Sequence, residues 1–439
     1  MVSVVFWGAK YLLRRTTVDE PQRNLYILWL GCFIASASFS IVMPFLPQFV
    51  ESLGVHGNLY TWSGWIYAIT FVSSAIMQPI WGNLADRLGR KPMIIRSGIS
   101  IGVVFFAMAY VKTPVQLFFL RMLNGALTGF IPSSTALLAT NTPEERVGRY
   151  LAILQTGNAA GTIFGPMIGG ALADLFGMRV AMKVAAFIIW TATALVLVGV
   201  RERVMGVQGE RTNALQDLKL AVTNRPLLAL MITALLINAS IQSLQPILTE
   251  FIMSLRTDAV VSWAVRLIYG NAEAEATVAG FIFALPAIAT VLTAARWATL
   301  GERIGYPKLL ALGLGVAGIF VLPQSLVTTT AALIVLRFLF GVMTAAVQPS
   351  VNATLSELVH PSFRGRAFGI NTSAMNIGSV IGPLLGGYIA DGLGPRSVFI
   401  STGLILMAAS LWVSRELTSK SVVMGQVGAP TGTEHAGQA

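Results

Sequence analysis

Apolar runs close to twenty residues long recur along almost the whole chain. We read twelve: 25–49, 61–80, 93–111, 115–139, 150–172 and 180–200, then 226–253, 277–295, 309–326, 329–353, 367–390 and 398–413. Runs of this length span a ~30 Å hydrocarbon core as helices. Lipid offers no partners for backbone amides and carbonyls, so each run must bond its backbone within itself. Only 11% of the 439 residues are charged, against about 25% in soluble domains. The expected fold is therefore an all-α polytopic membrane protein, with twelve transmembrane helices in two six-helix pseudo-symmetric halves.

Charge sets the orientation. Of 30 Lys and Arg residues, Lys112, Arg179, Lys183, Arg256, Arg266 and Arg396 fall on one side, and Arg121 and Arg337 lie within spans. The others gather on the side of the termini, which places both termini in the cytoplasm. This bias also accounts for the net charge of +11. No basic, aromatic-interleaved patch points to nucleic acid. The divisions that follow are a cytoplasmic tail at 1–24, a first half at 25–200, a cytoplasmic linker at 201–225, a second half at 226–413 and a cytoplasmic tail at 414–439. Val2 to Trp7 is too short for a signal-peptide core, and the basic residues follow it. Cys32 is the lone cysteine. The three histidines lie in loops or the tail, and no cluster has metal-ligand spacing.

Between the second and third runs stands Gly82-Asn83-Leu84-Ala85-Asp86-Arg87-Leu88-Gly89-Arg90-Lys91, with one acid and three bases framed by glycines. A degraded copy occupies Ala298 to Pro307: Glu302, Arg303 and Gly305 match Asp86, Arg87 and Gly89, while Arg90 and Lys91 have no counterpart. The repeat extends further. Leu120-Arg121 and Gly125 match Leu336-Arg337 and Gly341. Gly161, Gly165-Pro166, Gly169-Gly170, Ala173-Asp174 and Gly177 match Gly378, Gly382-Pro383, Gly386-Gly387, Ala390-Asp391 and Gly394. Two halves in parallel order place a pseudo-twofold along the membrane normal, as in carriers with a midplane site between halves.

These motifs resemble the major facilitator superfamily over nearly all of the chain. Gly82 to Lys91 is similar to its signature loop between helices 2 and 3. Arg121 with Gly125 resembles its helix-4 motif, and Gly161, Gly165, Pro166, Gly169 and Gly170 resemble its antiporter motif, associated with exporters. Trp29 to Phe33, Phe39-Ser40 and Met43 to Pro47 resemble helix 1 of bacterial drug:proton antiporters in that superfamily. The segment 254–276 is longer than in those relatives. The resemblance implies a gating loop in which Asp86 faces the N-terminus of helix 11 near Gly365 to Gly369, and a role for Arg121 in proton coupling. Unpaired amides at a helix start favour a nearby anion by about 0.3–1 kcal/mol, and by up to ~2 when partly buried. Plain positive-inside topology explains the bases of the loop but not the acid or the repeated glycines.

Other residues carry two readings. A charge at a span centre costs about 2.5–3.5 kcal/mol, so Arg121 and Arg337 need a partner, a watery cavity or snorkelling. The helix-5 glycines serve close helix packing whatever else they do. Gln155, Asn158 and Thr162, then Asn238, Gln242, Gln245 and Thr249, then Thr344, Gln348 and Asn352 each share one helical face. Each set lines a cavity or bonds a neighbouring helix. Phe39, Met43 and Phe45 offer adaptable apolar contact or belong to the core. Glu250 is the clearest acid inside a span and follows Pro246, which loosens the helix. It is a proton-coupling candidate, since burial disfavours a charged carboxyl, or an ordinary carboxylate at the outer interface.

The function expected is secondary efflux of drugs or other small compounds, amphipathic or cationic, in exchange for protons, by a monomer in the bacterial inner membrane. The proton gradient is the energy source. There is no Walker-type loop, and no cofactor or metal is expected. The alternatives are a major facilitator importing a sugar or metabolite and, in another class, a membrane enzyme or receptor. No nucleophile-base-acid grouping supports an enzyme.

Overall fold

The computed structural model of the chain describes residues 20–202, 214–258, 261–262, 274–360 and 363–417. Most of the expected tails, much of the linker and much of the long 254–276 segment lie outside these residues. Among the described residues the structure is helical, with no strand beyond an isolated bridge between Arg256 and Thr329. We label the twelve crossings in chain order. The first half holds α1 (Glu20–Ser52), α2 (Leu59–Leu88), α3 (Arg90–Met108), α4 (Pro114–Leu127 with Phe130–Thr140), α5 (Glu144–Phe176) and α6 (Met178–Gly199). The second holds α7 (Arg225–Ser243 with Leu248–Met253), α8 (Glu275–Ile304), α9 (Tyr306–Leu326), α10 (Thr330–Leu358), α11 (Arg364–Leu393) and α12 (Pro395–Glu416). A short helix, Ala214–Thr223, precedes α7.

Among the described residues, nine of these are long and apolar enough to cross a membrane on length and composition alone. The other three are α2, α4 and α11. Both α2 and α11 are 30 residues long but more mixed in polarity, and α4 is split at Thr128-Gly129. Three runs read as continuous are broken in the structure. α4 breaks at that dipeptide, α7 at residues 244–247 around Pro246, and α10 near Ala345-Ala346. In α1 a short 3-10 stretch, Met43–Phe45, carries Pro44, whose ring cannot continue the amide ladder.

The repeat seen in the sequence is a repeat in space. Gly161, Gly165 and Gly169 of α5 lie against α1, where added Cβ atoms would stand 2.3, 2.7 and 2.0 Å from the carbonyl oxygens of Phe33, Ala37 and Ile41. Gly378, Gly382 and Gly386 of α11 meet Leu235, Ala239 and Ser243 of α7 in the same way, at 2.3, 2.4 and 2.0 Å. Small residues four apart let two helix backbones touch, which is how helices associate where lipid removes the hydrophobic drive. The turns repeat as well. Gly89 ends α2 with φ +94° and Gly305 ends α8 with φ +91°, a conformation open to glycine and costly to residues with a Cβ. Thr113 and Thr329 start α4 and α10, and their hydroxyls accept the amides of Gln116 and Ala332, as N-caps do.

Polar contacts identify two rims. At one, Arg201 meets Glu20 at 3.4 Å, Asn24 donates to the Arg201 carbonyl at 2.7 Å, and Arg225 forms a two-pronged pair with Glu416 at 2.8 Å. These contacts gather the start of α1, the end of α6, the start of α7 and the end of α12 on what we call the terminal rim. At the far rim the halves meet. The Thr249 hydroxyl donates to the Pro44 carbonyl at 2.8 Å, Gln48 reaches the Met253 sulfur at 2.9 Å, and the Trp65 indole donates to the Tyr388 hydroxyl at 3.2 Å.

Candidate functional site

The signature loop folds as a corner at the terminal rim. α2 runs through Asp86 and Arg87 to Leu88, Gly89 turns the chain, and α3 begins at Arg90. The Arg90 guanidinium pairs with Asp86 at 3.5 Å, donates to the Ala136 carbonyl of α4 at 3.0 Å, and reaches the Thr140 hydroxyl. The free amides of Arg90 and Lys91 donate to the two carboxylate oxygens of Glu202, at 2.7 and 2.9 Å. Glu202 therefore caps α3 from beyond the end of α6. It falls in the segment expected as linker, and no motif in the sequence marks it.

Asp86 does not reach α11 in this structure. Its side chain is 45% exposed and its ion pair is with Arg90. A Cβ added at Gly365, Gly369 or Gly82 would meet nothing within 4 Å. Arg87 is exposed and Lys91 half-buried.

Arg121 sits on the first segment of α4, 2% exposed. Its guanidinium carbon lies 5.9 Å from the centre of the Phe39 ring and 5.8 Å from that of Tyr67. Nε and Nη1 are buried without a hydrogen-bond partner, and no carboxylate pairs with Arg121 among the described residues. Tyr67 donates its hydroxyl to the Met43 carbonyl at 3.1 Å. Of the expected cavity residues, Phe39 thus lies beside Arg121, with Tyr67 added by the structure, while Met43 meets Tyr67 through its backbone carbonyl. Cation–π contacts contribute up to ~2 kcal/mol when desolvated and fade near 6 Å. At these distances they fall short of the ~2.5–3.5 kcal/mol that a mid-span charge costs. Arg337, its repeat mate on α10, is also buried, with an unpartnered Nε.

The polar stripes separate. Asn158 accepts from the Ser36 hydroxyl of α1 and lies 3.5 Å from Gln155, so it bonds a neighbouring helix. Asn238 and Gln242 pack their Cβ atoms beside Gly378 and Gly382 of α11. Gln245 has a buried, unpartnered Oε1. Gln348 is exposed, 3.4 Å from Asn352 and 3.7 Å from the Met375 sulfur. Pro166 faces the second half, its carbonyl meeting Gly280 of α8, while Gly170 meets the Ala276 carbonyl.

Glu250 lies on the short Leu248–Met253 segment after the break in α7. It is half-buried, with Oε1 sealed and unpartnered. It stands near the far rim, close to Thr249, which bonds the Pro44 carbonyl of the other half. No group of three or more metal-ligating side chains occurs among the described residues.

Comparison with known proteins agrees with this architecture. The family model for the Major Facilitator Superfamily matches residues 28–270 and 259–426. Multidrug resistance protein MdtG of Enterobacter lignolyticus (strain SCF1) is 37% identical over 405 residues, covering 91% of this chain and 94% of that one. MdtG of Escherichia coli O1:K1 / APEC is 38% identical over 398 residues, covering 89% and 94%. Among solved structures, the nucleoside transporter NupG superposes with a TM-score of 0.74 at 15% identity, covering 90% of this chain and 100% of that one. A bacterial homologue of the human lysosomal transporter Spinster, inward-facing and occupied, gives 0.72 at 14% identity, covering 90% and 97%. Those two likenesses are of fold alone. With twelve crossings in two repeated halves, the signature corner in place and the family model matched from residue 28 to residue 426, the chain belongs to the Major Facilitator Superfamily.

Proposed function

We propose that this protein is a multidrug efflux transporter that exports small amphipathic compounds, cationic ones among them, in exchange for protons. The observation that carries the reading is its likeness to the MdtG multidrug resistance proteins, 37–38% identical over about nine-tenths of either chain. The terminal rim faces the cytoplasm of a bacterial cell and the far rim faces outward. The halves rock about a central site, as two repeats joined along one rim are able to do. The proton gradient drives export, since one charge crossing yields about 2.3 kcal/mol per 100 mV. The protein works as a monomer with protons, substrate and lipid as its partners.

Within this reading, Glu250 is the proton carrier. Its half-buried carboxylate, with one oxygen sealed and unpartnered on the segment after the break in α7, is placed to take up a proton in one arrangement of the halves and release it in another. Arg121, beside Phe39 and Tyr67, is the second coupling candidate. Gln348, Asn352, Asn238, Gln242 and Gln245 supply polar contacts in the second half, and the Asp86 corner grips α11 when the terminal rim closes.

Inside-out membrane vesicles test this. Ethidium should enter the lumen when the lumen is made acid and should stop when the pH gradient is collapsed. Glu250→Gln should abolish gradient-driven uptake while retaining ethidium binding. Gradient-independent uptake by the parent protein overturns proton coupling. Uptake by Glu250→Gln at the parent rate removes Glu250 from it.

A further inference from the structure

The repeat pairs Ala173-Asp174 and Gly177 with Ala390-Asp391 and Gly394, and the transport reading leaves the two acids without a task. Both stand at the far-rim ends of their helices, α5 and α11. Their partners are the far-rim starts of α8 and α2, each in the opposite half.

Neither of those helices caps itself. Asn58 precedes α2 and Ala274 precedes α8, and neither makes a side-chain cap bond. The first turn of a helix carries amides with no partner inside the helix. Here the other half supplies the acceptors. Asp391 takes the amides of Tyr60 and Thr61, at 3.3 Å on Oδ1 and 2.7 Å on Oδ2. Asp174 takes those of Ala276 and Thr277, at 3.2 Å on Oδ1 and 2.7 Å on Oδ2, and its Oδ2 also accepts the Thr277 hydroxyl at 2.6 Å. These are the second and third helical residues, the amides that a local N-cap serves. The carboxylates also lie at the positive ends of the two helix dipoles.

Beside each cap the backbones touch. Cβ atoms added at Gly387 and Gly64 would lie 2.4 Å from the carbonyl oxygens of Tyr60 and Pro383. Added at Gly170 and Gly280, they would lie 2.0 and 2.2 Å from those of Ala276 and Pro166. The glycines bring the helices close enough for an aspartate, which has a short side chain, to reach across.

The geometry points to Asp174 and Asp391 as a paired latch that holds the far rim shut by capping α8 and α2 from the opposite half. Opening that rim strips both helices of their caps and leaves two carboxylates in water. Closing it restores five hydrogen bonds at once. The arms are unequal, because only Asp174 also holds a hydroxyl. The latch sets the balance between open and closed forms, whatever the cargo and whatever drives it.

Distance measurements between paired labels test it without substrate or gradient. In a Cys32→Ala background, labels at Tyr110→Cys and Leu326→Cys, both exposed at the far rim, report its opening. Labels at Glu145→Cys and Arg303→Cys, both exposed, report the terminal rim. Losing an anion at a helix start corresponds to roughly a two- to thirty-fold change in a two-state balance. Asp174→Asn should raise the far-open population at least about three-fold, Asp391→Asn less, and the double variant most. The terminal-rim distances should shorten in step. Asp174→Ala, which leaves no acceptor, should exceed Asp174→Asn. Unchanged far-rim distances in single variants that reach the membrane at parent levels overturn the latch. So does a loss of thermal stability with no change in rim opening, which marks the caps as static supports. Either result leaves the proton-exchange reading standing, and failure of that reading leaves the latch standing.

Discussion

Asp86 shows how far one residue's role depends on the state of the molecule. Its carboxylate is half exposed and, among the described residues, its ion pair is with Arg90, and an ion pair so exposed contributes about 0–1 kcal/mol. Asp86→Asn should therefore leave membrane levels near those of the parent. It should lower transport at least about tenfold, as removing ~1.4 kcal/mol from the limiting step would, if its task is to meet α11 when the terminal rim closes. Glu302→Gln, in the copy that lacks the two following bases, should cost less than about twofold on the same scale. Initial rates of ethidium export normalised to protein in the membrane decide this, and equal losses at the two sites would remove the asymmetry. The acid and glycines of the corner were legible in the sequence because they repeat. The Glu202 cap on Arg90 and Lys91 was not, since a pairing across 112 and 111 residues leaves no local trace. Tyr67 was hidden for the same reason.

At the scale of elements, glycine positions separate packing from gating. A Cβ at Gly169 would stand 2.0 Å from the Ile41 carbonyl oxygen, and at Gly82 it would meet nothing. Overpacking commonly costs about 1–3 kcal/mol, and this contact is with backbone, which cannot turn aside. Gly169→Ala and Gly386→Ala should lower the melting temperature and membrane yield, while Gly82→Ala should leave both near parent values. Thermal unfolding in detergent with membrane quantification would check this. A stable Gly169→Ala would contradict the α1–α5 contact. Twelve crossings could be read from apolar length, but their interruptions could not. Gly129 breaks α4 with φ +153° in a run that hydropathy sees as continuous. Pro44 and Pro246 interrupt helices whereas Pro79, Pro166, Pro286 and Pro383 sit inside unbroken ones. Proline content alone therefore does not mark where a helix breaks.

At the scale of the whole molecule, the two halves meet along the far rim through Pro44 with Thr249, Gln48 with Met253, and the caps at Asp174 and Asp391. The matching positions of those two acids were visible in the sequence. Their partners were not, because a repeat reveals equivalence and not contact. Orientation rests on the distribution of Lys and Arg. A reporter fused after Ala439 should be active only in the cytoplasm, and external activity would invert the rims. The central claim is exchange of a compound for protons, and purified protein in liposomes carrying a luminal pH dye measures it directly. An imposed ethidium gradient should drive protons the opposite way, so that the lumen acidifies as ethidium leaves it, in fixed proportion to ethidium moved and with no response in protein-free liposomes. Ethidium movement without any change in luminal pH would contradict the account.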